Sequence, residues 1–224
     1  RLFPVTLPPP TLDHPLGDFE RLSESLSEHF GLHRLELDYP ALLALPGALR
    51  EGKWTVTAAV RMEPEILSVF PGEVEEAYGL AIDVGSTTVA GYLCSLCTGR
   101  IVGTESFMNP QITFGDDVIA RISYVMDNPD GMDKMRGVII DGLNHLIRTV
   151  TGNHGLSPAD IFEITIVGNT VMHHLLLGID PRALGFSPFT PAVHRSLDIK
   201  ARDLGLKAHP AANVHLLPII AGFV

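Results

Sequence analysis

Six residues, Asp83-Val84-Gly85-Ser86-Thr87-Thr88, do most to limit the folds open to this chain. The apolar run Leu80-Ala81-Ile82 leads into them, and the alternating run Val89 to Leu96 leaves them. No helix signal separates the two runs, so they read as antiparallel strands joined by a tight, hydroxyl-rich turn. Cys97-Thr98-Gly99-Arg100 is a second tight turn, and Ile101 to Phe107 a third strand. A P-loop or dinucleotide-binding domain does not begin with such a meander, because each opens on a strand followed by a helix.

The periodicity then changes. After Gly115-Asp116-Asp117, residues Val118, Ile119, Ile122, Val125 and Met126 share one helical face. Asn128-Pro129-Asp130-Gly131 breaks that helix, and a longer one is predicted from Met132 to Thr151 on the stripe Met135, Val138, Ile139, Leu143, Leu146, Ile147 and Val150. Ile161 to Val167 is a continuous apolar strand, buried on both faces. Gly168-Asn169-Thr170 turns it into a helix ending near Gly178. Residues 180–212, punctuated by Pro181, Pro188 and Pro191, read as an irregular excursion before a last strand at Asn213 to Leu217. Three antiparallel strands followed by strand–helix units predict a ribonuclease-H-like α/β layer over residues 76–224.

The preceding part differs in character. Residues 1–15 hold Pro4, Pro8, Pro9, Pro10 and Pro15 and read as a stiff Pro-rich linker. Phe19, Leu22, Leu26 and Phe30 predict a short amphipathic helix between Asp18 and Gly31. A second short helix over 40–49 and β-like runs at Lys53 to Arg61 and Glu65 to Phe70 complete a small α+β domain, residues 16–75.

At 224 residues and 46% hydrophobic content the chain can bury a sizeable core. Its net charge of −10 argues against nucleic acid and anionic membranes as partners. No apolar stretch is long enough to span a bilayer. With two cysteines and no export signal, a cytoplasmic location is expected. The opening Arg1, in place of methionine, suggests a piece of a longer protein.

Hydroxyls and backbone N–H groups in a tight turn grip phosphate oxygens, and glycine permits close approach. Gly85, Ser86, Thr87 and Thr88 therefore suit a phosphate, and Asp83 suits Mg²⁺ held through water. The same composition also makes an ordinary β-turn. Gly168, Asn169 and Thr170 stand between a strand and a helix, where the N-terminal end of the helix attracts anions. Asn and Thr are equally ordinary helix caps. Two such turns at the carboxyl ends of strands in one sheet point together to a ligand cleft.

The chain resembles the ATP-dependent reductive activators of corrinoid proteins, within the acetate and sugar kinase, heat-shock chaperone and actin superfamily. The stretches that carry the resemblance are Gly79 to Ala90, Asn109-Pro110-Gln111 with Gly115 to Ile119, Val167 to Thr170 with Leu175 to Pro181, and Leu217 to Phe223. Leu7 to Thr11 and Asp18 to Leu22 also match, so nearly the whole chain is covered. The resemblance implies the first half of an actin-like ATPase domain, preceded by the small α+β unit as a middle domain. It implies ATP and Mg²⁺ as cofactors, with a [2Fe–2S] cluster on a domain outside this chain. It also implies a corrinoid protein of a methyltransferase system as partner, reduced from Co(II) to Co(I). The second phosphate motif of such proteins is expected beyond Val224, so the chain by itself is expected to be inactive. A homodimer is one way to cover the surface a missing half would occupy. Two other readings remain open here: a small-molecule kinase of the same superfamily, and a non-catalytic interaction module.

Other constellations read as structural. Cys94-Ser95-Leu96-Cys97 lacks a partner pair and begins inside a strand. His173 and His174 point about 100° apart on a helix, and Gly31 separates His29 from His33, so neither pair makes a metal site. Asp116 or Asp117 is expected to cap a helix, while the resemblance places Asn109, Gln111 and both aspartates at the border of a nucleotide cleft.

Overall fold

The computed structural model describes residues 1–13 and 15–220, which divide into two compact units. The first unit is Arg1–Ala77 with Leu96–Thr98; the second is Tyr78–Ser95 with the remainder from Gly99.

In the first unit, strands β1 (Leu2–Thr6), β2 (Glu36–Leu37), β3 (Thr55–Arg61) and β4 (Glu65–Pro71) form a sheet of order β1-β3-β4-β2. Helices α1 (Asp18–Phe30) and α2 (Tyr39–Glu51) accompany it. Leu22, Leu26, Leu45, Leu49, Val56 and Ile66 make the centre of its core. Leu2–Thr6 corrects the reading of residues 1–15 as a linker. The alternation Phe3, Val5, Leu7 buries one face, and β1 pairs antiparallel with β3 from Leu2↔Ala59 to Thr6↔Thr55. Pro4 is accommodated because β1 is an edge strand, where a missing N–H breaks no interior ladder.

The second unit is built on β5 (Tyr78–Val84), β6 (Thr88–Ser95), β7 (Ile101–Met108), β8 (Ile161–Gly168), β9 (Leu197–Lys200) and β10 (Asn213–Leu216). The strand order is β7-β6-β5-β8-β10-β9. The meander β5-β6-β7 is antiparallel as expected, and β8 joins β5 in parallel. The excursion over 180–212 contains β9, a short edge strand antiparallel to β10, which the sequence reading did not anticipate. Helices α3 (Val118–Asp127), α4 (Gly131–Gly152), α5 (Thr170–Leu177) and α6 (Ala201–Leu204) complete the unit.

Helix α4 drives much of the burial. Met135, Ile139, Leu143, Leu146 and Ile147 are fully buried, each contributing about 1.5–3 kcal/mol of hydrophobic stabilisation. Gly91 on β6 lets α4 approach closely: a Cβ there would lie 2.7 Å from a Leu146 methyl. Alternation in β5 buries Leu80, Ile82 and Val84 and leaves Ala81 and Asp83 exposed on the other face. Among the described residues no helix is long and apolar enough to cross a membrane. Ala221-Gly222-Phe223, the end of the last resemblance stretch, lies outside the described residues.

Candidate phosphate site at the ends of β5 and β8

The two hydroxyl-bearing turns begin side by side. Strands β5 and β8 are parallel neighbours, with Asp83 opposite Val167 and Val84 opposite Gly168. The turn after β5 and the turn after β8 therefore leave the sheet at one level, at the carboxyl ends of both strands. Gly168 is held close to its neighbour: a Cβ there would lie 3.0 Å from the Val84 carbonyl oxygen. Gly85 is tighter still, 2.6 Å from the Thr88 carbonyl oxygen by the same measure, and its N–H donates to that oxygen at 3.0 Å.

Two fully buried side chains hold the first turn from beneath. Asn109, which follows β7, donates through Nδ2 to the Gly85 carbonyl at 2.7 Å, and its backbone N–H donates to the Thr87 carbonyl at 2.8 Å. Its Oδ1 accepts from the Gln111 N–H at 2.9 Å, which fixes the amide orientation. Arg121 on α3 donates to the Ser86 carbonyl through Nη2 and to the Gly115 carbonyl through Nε at 3.0 Å. With the Gly85 and Ser86 carbonyls turned toward these buried groups, the next N–H groups face away from them, because a trans peptide sets C=O and N–H in opposite directions. The Ser86 and Thr87 N–H groups thus point outward, where Thr87 and Thr88 are exposed. Outward N–H groups in succession make an anion cradle.

The same two side chains reach the second turn. Arg121 Nη1 lies 3.0 Å from the Met172 sulfur, and Asn109 Nδ2 lies 3.7 Å from it. Met172 sits in the first turn of α5, where its N–H donates to Oδ1 of the N-cap Asn169 at 2.9 Å. Burial lowers the pKa of Arg121, and the charges of Asp117 and Asp116 oppose that shift. Asp117 caps α3 as expected, its Oδ1 accepting from the Ala120 N–H at 2.8 Å. Gln111 is also buried, with Nε2 donating to the Met135 carbonyl at 3.1 Å.

Asp83 stands one residue before the end of β5, exposed, beside Ala90 and Val167 in register. No group of three or more metal-binding side chains occurs among the described residues. A single exposed carboxylate beside outward-facing N–H groups has the chemistry to hold Mg²⁺ through water. Both cysteines are free, and Cys94 donates weakly to the Tyr92 carbonyl within β6, consistent with a structural role.

Arg121 was not found by sequence reading. Its signal was available: a cation among the apolar positions Val118, Ile122 and Val125 of a buried helix face. The two histidines of α5 also differ in a way spacing cannot show. His174 is fully satisfied, with Nε2 accepting from the Ala192 N–H at 3.0 Å and Nδ1 2.8 Å from the Thr170 carbonyl. The acceptor role of Nε2 places the proton on Nδ1. His173 is 7% exposed, and neither of its ring nitrogens has a hydrogen-bond partner among the described residues. Burial lowers its pKa to about 4, with the neighbouring His174 a smaller cause.

Two family models match the chain, the RACo linker region over residues 1–76 and the RACo middle region over residues 78–224. In that nomenclature the small α+β unit belongs to the linker region, and the sheet of β5 to β10 is the middle region. A corrinoid activation enzyme of Eubacterium limosum, RamQ, is 34% identical over 161 residues, covering 71% of this chain and 27% of RamQ. A solved reductive activator for corrinoid, iron-sulfur protein superposes with a TM-score of 0.87 at 36% identity, covering 100% of this chain and 36% of its own. The chain thus spans roughly a third of the length of these relatives. With both regions matched in order and the fold shared throughout, the chain belongs to the RACo family of corrinoid activators.

Proposed function

We propose that this chain supplies the first phosphate-binding wall of an ATP-dependent activator that reduces a Co(II) corrinoid to Co(I) on a partner protein. The observation that carries the nucleotide reading is the side-by-side departure of two turns from parallel strands, Val84 opposite Gly168. The outward N–H groups of Ser86 and Thr87 and the hydroxyls of Thr87 and Thr88 receive phosphate oxygens on one side. The N-terminus of α5, at Gly168, Asn169 and Thr170, leaves the neighbouring strand end, and its partial positive charge favours the anion. Asp83 holds water molecules of a Mg²⁺ ion, which when bound neutralises phosphate charge.

The relatives' names support the corrinoid part of the reading. Electron delivery requires a redox centre, and this chain has only two cysteines, too few for a [2Fe–2S] ligand set. The [2Fe–2S] cluster is accordingly assigned to another domain of the full-length protein. ATP binding then acts by changing the relation of the two ATPase halves, with the turns described above as the sensing side.

The test is titration of ATP–Mg²⁺ into the full-length protein, and into Asp83→Ala, with Co(II) corrinoid reduction followed spectroscopically. The expected result is micromolar binding, a loss of tenfold or more in Mg²⁺-dependent affinity for the variant, and reduction that requires ATP. Equal affinity in both proteins would remove Asp83 from the metal site. ATP-independent reduction would sink the nucleotide reading.

A further inference from the structure

Beneath the second turn lies a cavity of about 470 Å³. Its walls are apolar, formed by Val84, Ile166, Leu176, Leu216 and Ile219 among others, with Gly168, Asn169 and Thr170 at one side. Among the described residues, His173 is the one titratable residue in the lining. It is more than nine-tenths buried, and among the described residues neither ring nitrogen has a hydrogen-bond partner.

Such a group calls for an explanation, because buried polar atoms in native proteins are nearly always paired. Its neighbour shows that the helix can satisfy a histidine: His174, one residue on, uses both nitrogens. His173 is placed to serve something else. It is the fourth residue of α5, and helical side chains lean toward the N-terminus of their helix. Its ring therefore projects toward the end of α5 at which Gly168, Asn169 and Thr170 stand. Histidine χ2 is a broad torsion, so the ring can turn a nitrogen toward the cavity that it lines.

We propose that His173 is a ligand-contacting residue of the second turn, donating a hydrogen bond to a phosphate oxygen of the nucleotide seated at the α5 N-terminus. This rests on the nucleotide reading given above and adds a residue to it. The helix end contributes partial positive charge, and the imidazole contributes a directed donor. Phosphate binding would thus give the ring the partner that it lacks among the described residues. Leucine at this position would pack against the same apolar walls without an unpaired polar atom.

The experiment compares the full-length wild-type protein with His173→Phe, which keeps a ring of similar bulk, and with His173→Leu. Affinities for ATP–Mg²⁺ and for inorganic tripolyphosphate are measured by calorimetry, and ligand-free melting temperatures by scanning calorimetry. The expected result is a loss of about tenfold in affinity for both probes, the effect of one hydrogen bond. The ligand-free variants melt at the wild-type temperature or about 2–4 °C above it, since an unpaired buried group is gone. Wild-type affinity for both probes in His173→Phe overturns the proposal. A loss for ATP with none for tripolyphosphate also overturns it, by moving the contact to the nucleoside. If His173→Leu does not fold, His173→Phe decides alone. A wild-type protein that binds neither probe overturns the nucleotide reading itself, and this inference with it.

Discussion

The guanidinium of Arg121 donates to the backbone carbonyl of Ser86, so a fully buried cation holds the first hydroxyl-rich turn in place. Because the same guanidinium reaches Gly115 and the Met172 sulfur, it ties that turn to α3 and α5. Replacing Arg121 with Met fills comparable space but leaves the Ser86 and Gly115 carbonyls without their donor. Each unpaired carbonyl costs about 1–3 kcal/mol, offset in part by the charge no longer buried. The expected outcome is a net loss of about 1–3 kcal/mol in urea denaturation, with ATP–Mg²⁺ affinity down at least tenfold. Unchanged affinity would show that the turn keeps its shape without this brace.

Asn109 offers a sharper probe of the same turn. Asn109→Asp is nearly isosteric but replaces the donor facing the Gly85 carbonyl with an acceptor. Two acceptors 2.7 Å apart repel, and 0% exposure denies the carboxylate water. The variant is expected to lose about 2–4 kcal/mol by chemical denaturation, on the scale of an unsatisfied buried charge. Asn109→Ser, which keeps a small donor, should lose less. The order of the two variants is the measurement that matters.

Gly85 and Gly137 make opposite predictions from the same substitution. A Cβ on Gly85 would meet the Thr88 carbonyl oxygen at 2.6 Å, so alanine must open the turn and misdirect the N–H groups of Ser86 and Thr87. Gly137 is exposed within α4, and nothing lies within 4 Å of a Cβ added there. Gly85→Ala is expected to lower phosphate affinity tenfold or more, read by calorimetry. Gly137→Ala is expected to raise stability by about 0.5–1 kcal/mol and leave affinity unchanged.

The legibility of this chain follows from how local each signal is. The β5-β6-β7 meander was readable because its turns are short and its apolar alternation is regular. The two turns after β5 and β8 were readable as turns because glycine, hydroxyls and a strand end are adjacent in sequence. Leu2–Thr6 was obscured by Pro4 and the prolines that follow the strand, although Phe3, Val5 and Leu7 carry the alternation of a half-buried strand. Strand β9 was missed because four residues at a sheet edge have little periodicity to read. Arg121 and His173 were missed for a different reason. What singles them out is seen only in three dimensions: Arg121 meets the Ser86 carbonyl 35 positions away and the Met172 sulfur 51 positions away, and the His173 nitrogens have no partner among the described residues.

His173 also predicts how stability responds to acid. An unfolded histidine takes up its proton near pH 6.5, whereas burial lowers the pKa of His173 in the folded protein to about 4. Between those values the unfolded state holds a proton that the folded state lacks, so stability falls as pH falls through this window. Above pH 6.5 both states are neutral and the contribution is level; below pH 4 both are charged and the loss is complete. The displacement corresponds to about 3 kcal/mol. His174, whose pKa burial also lowers, adds to the loss in the same direction. Carboxylates contribute to acid unfolding as well, so the informative quantity is a difference between proteins. Urea midpoints measured from pH 8 to pH 4 should decline more steeply for wild type than for His173→Phe, the curves diverging below pH 6.5. Parallel curves would mean that His173 is protonated in the folded protein as readily as in the unfolded one. That outcome would mean that the ring takes up its proton through the cavity it lines.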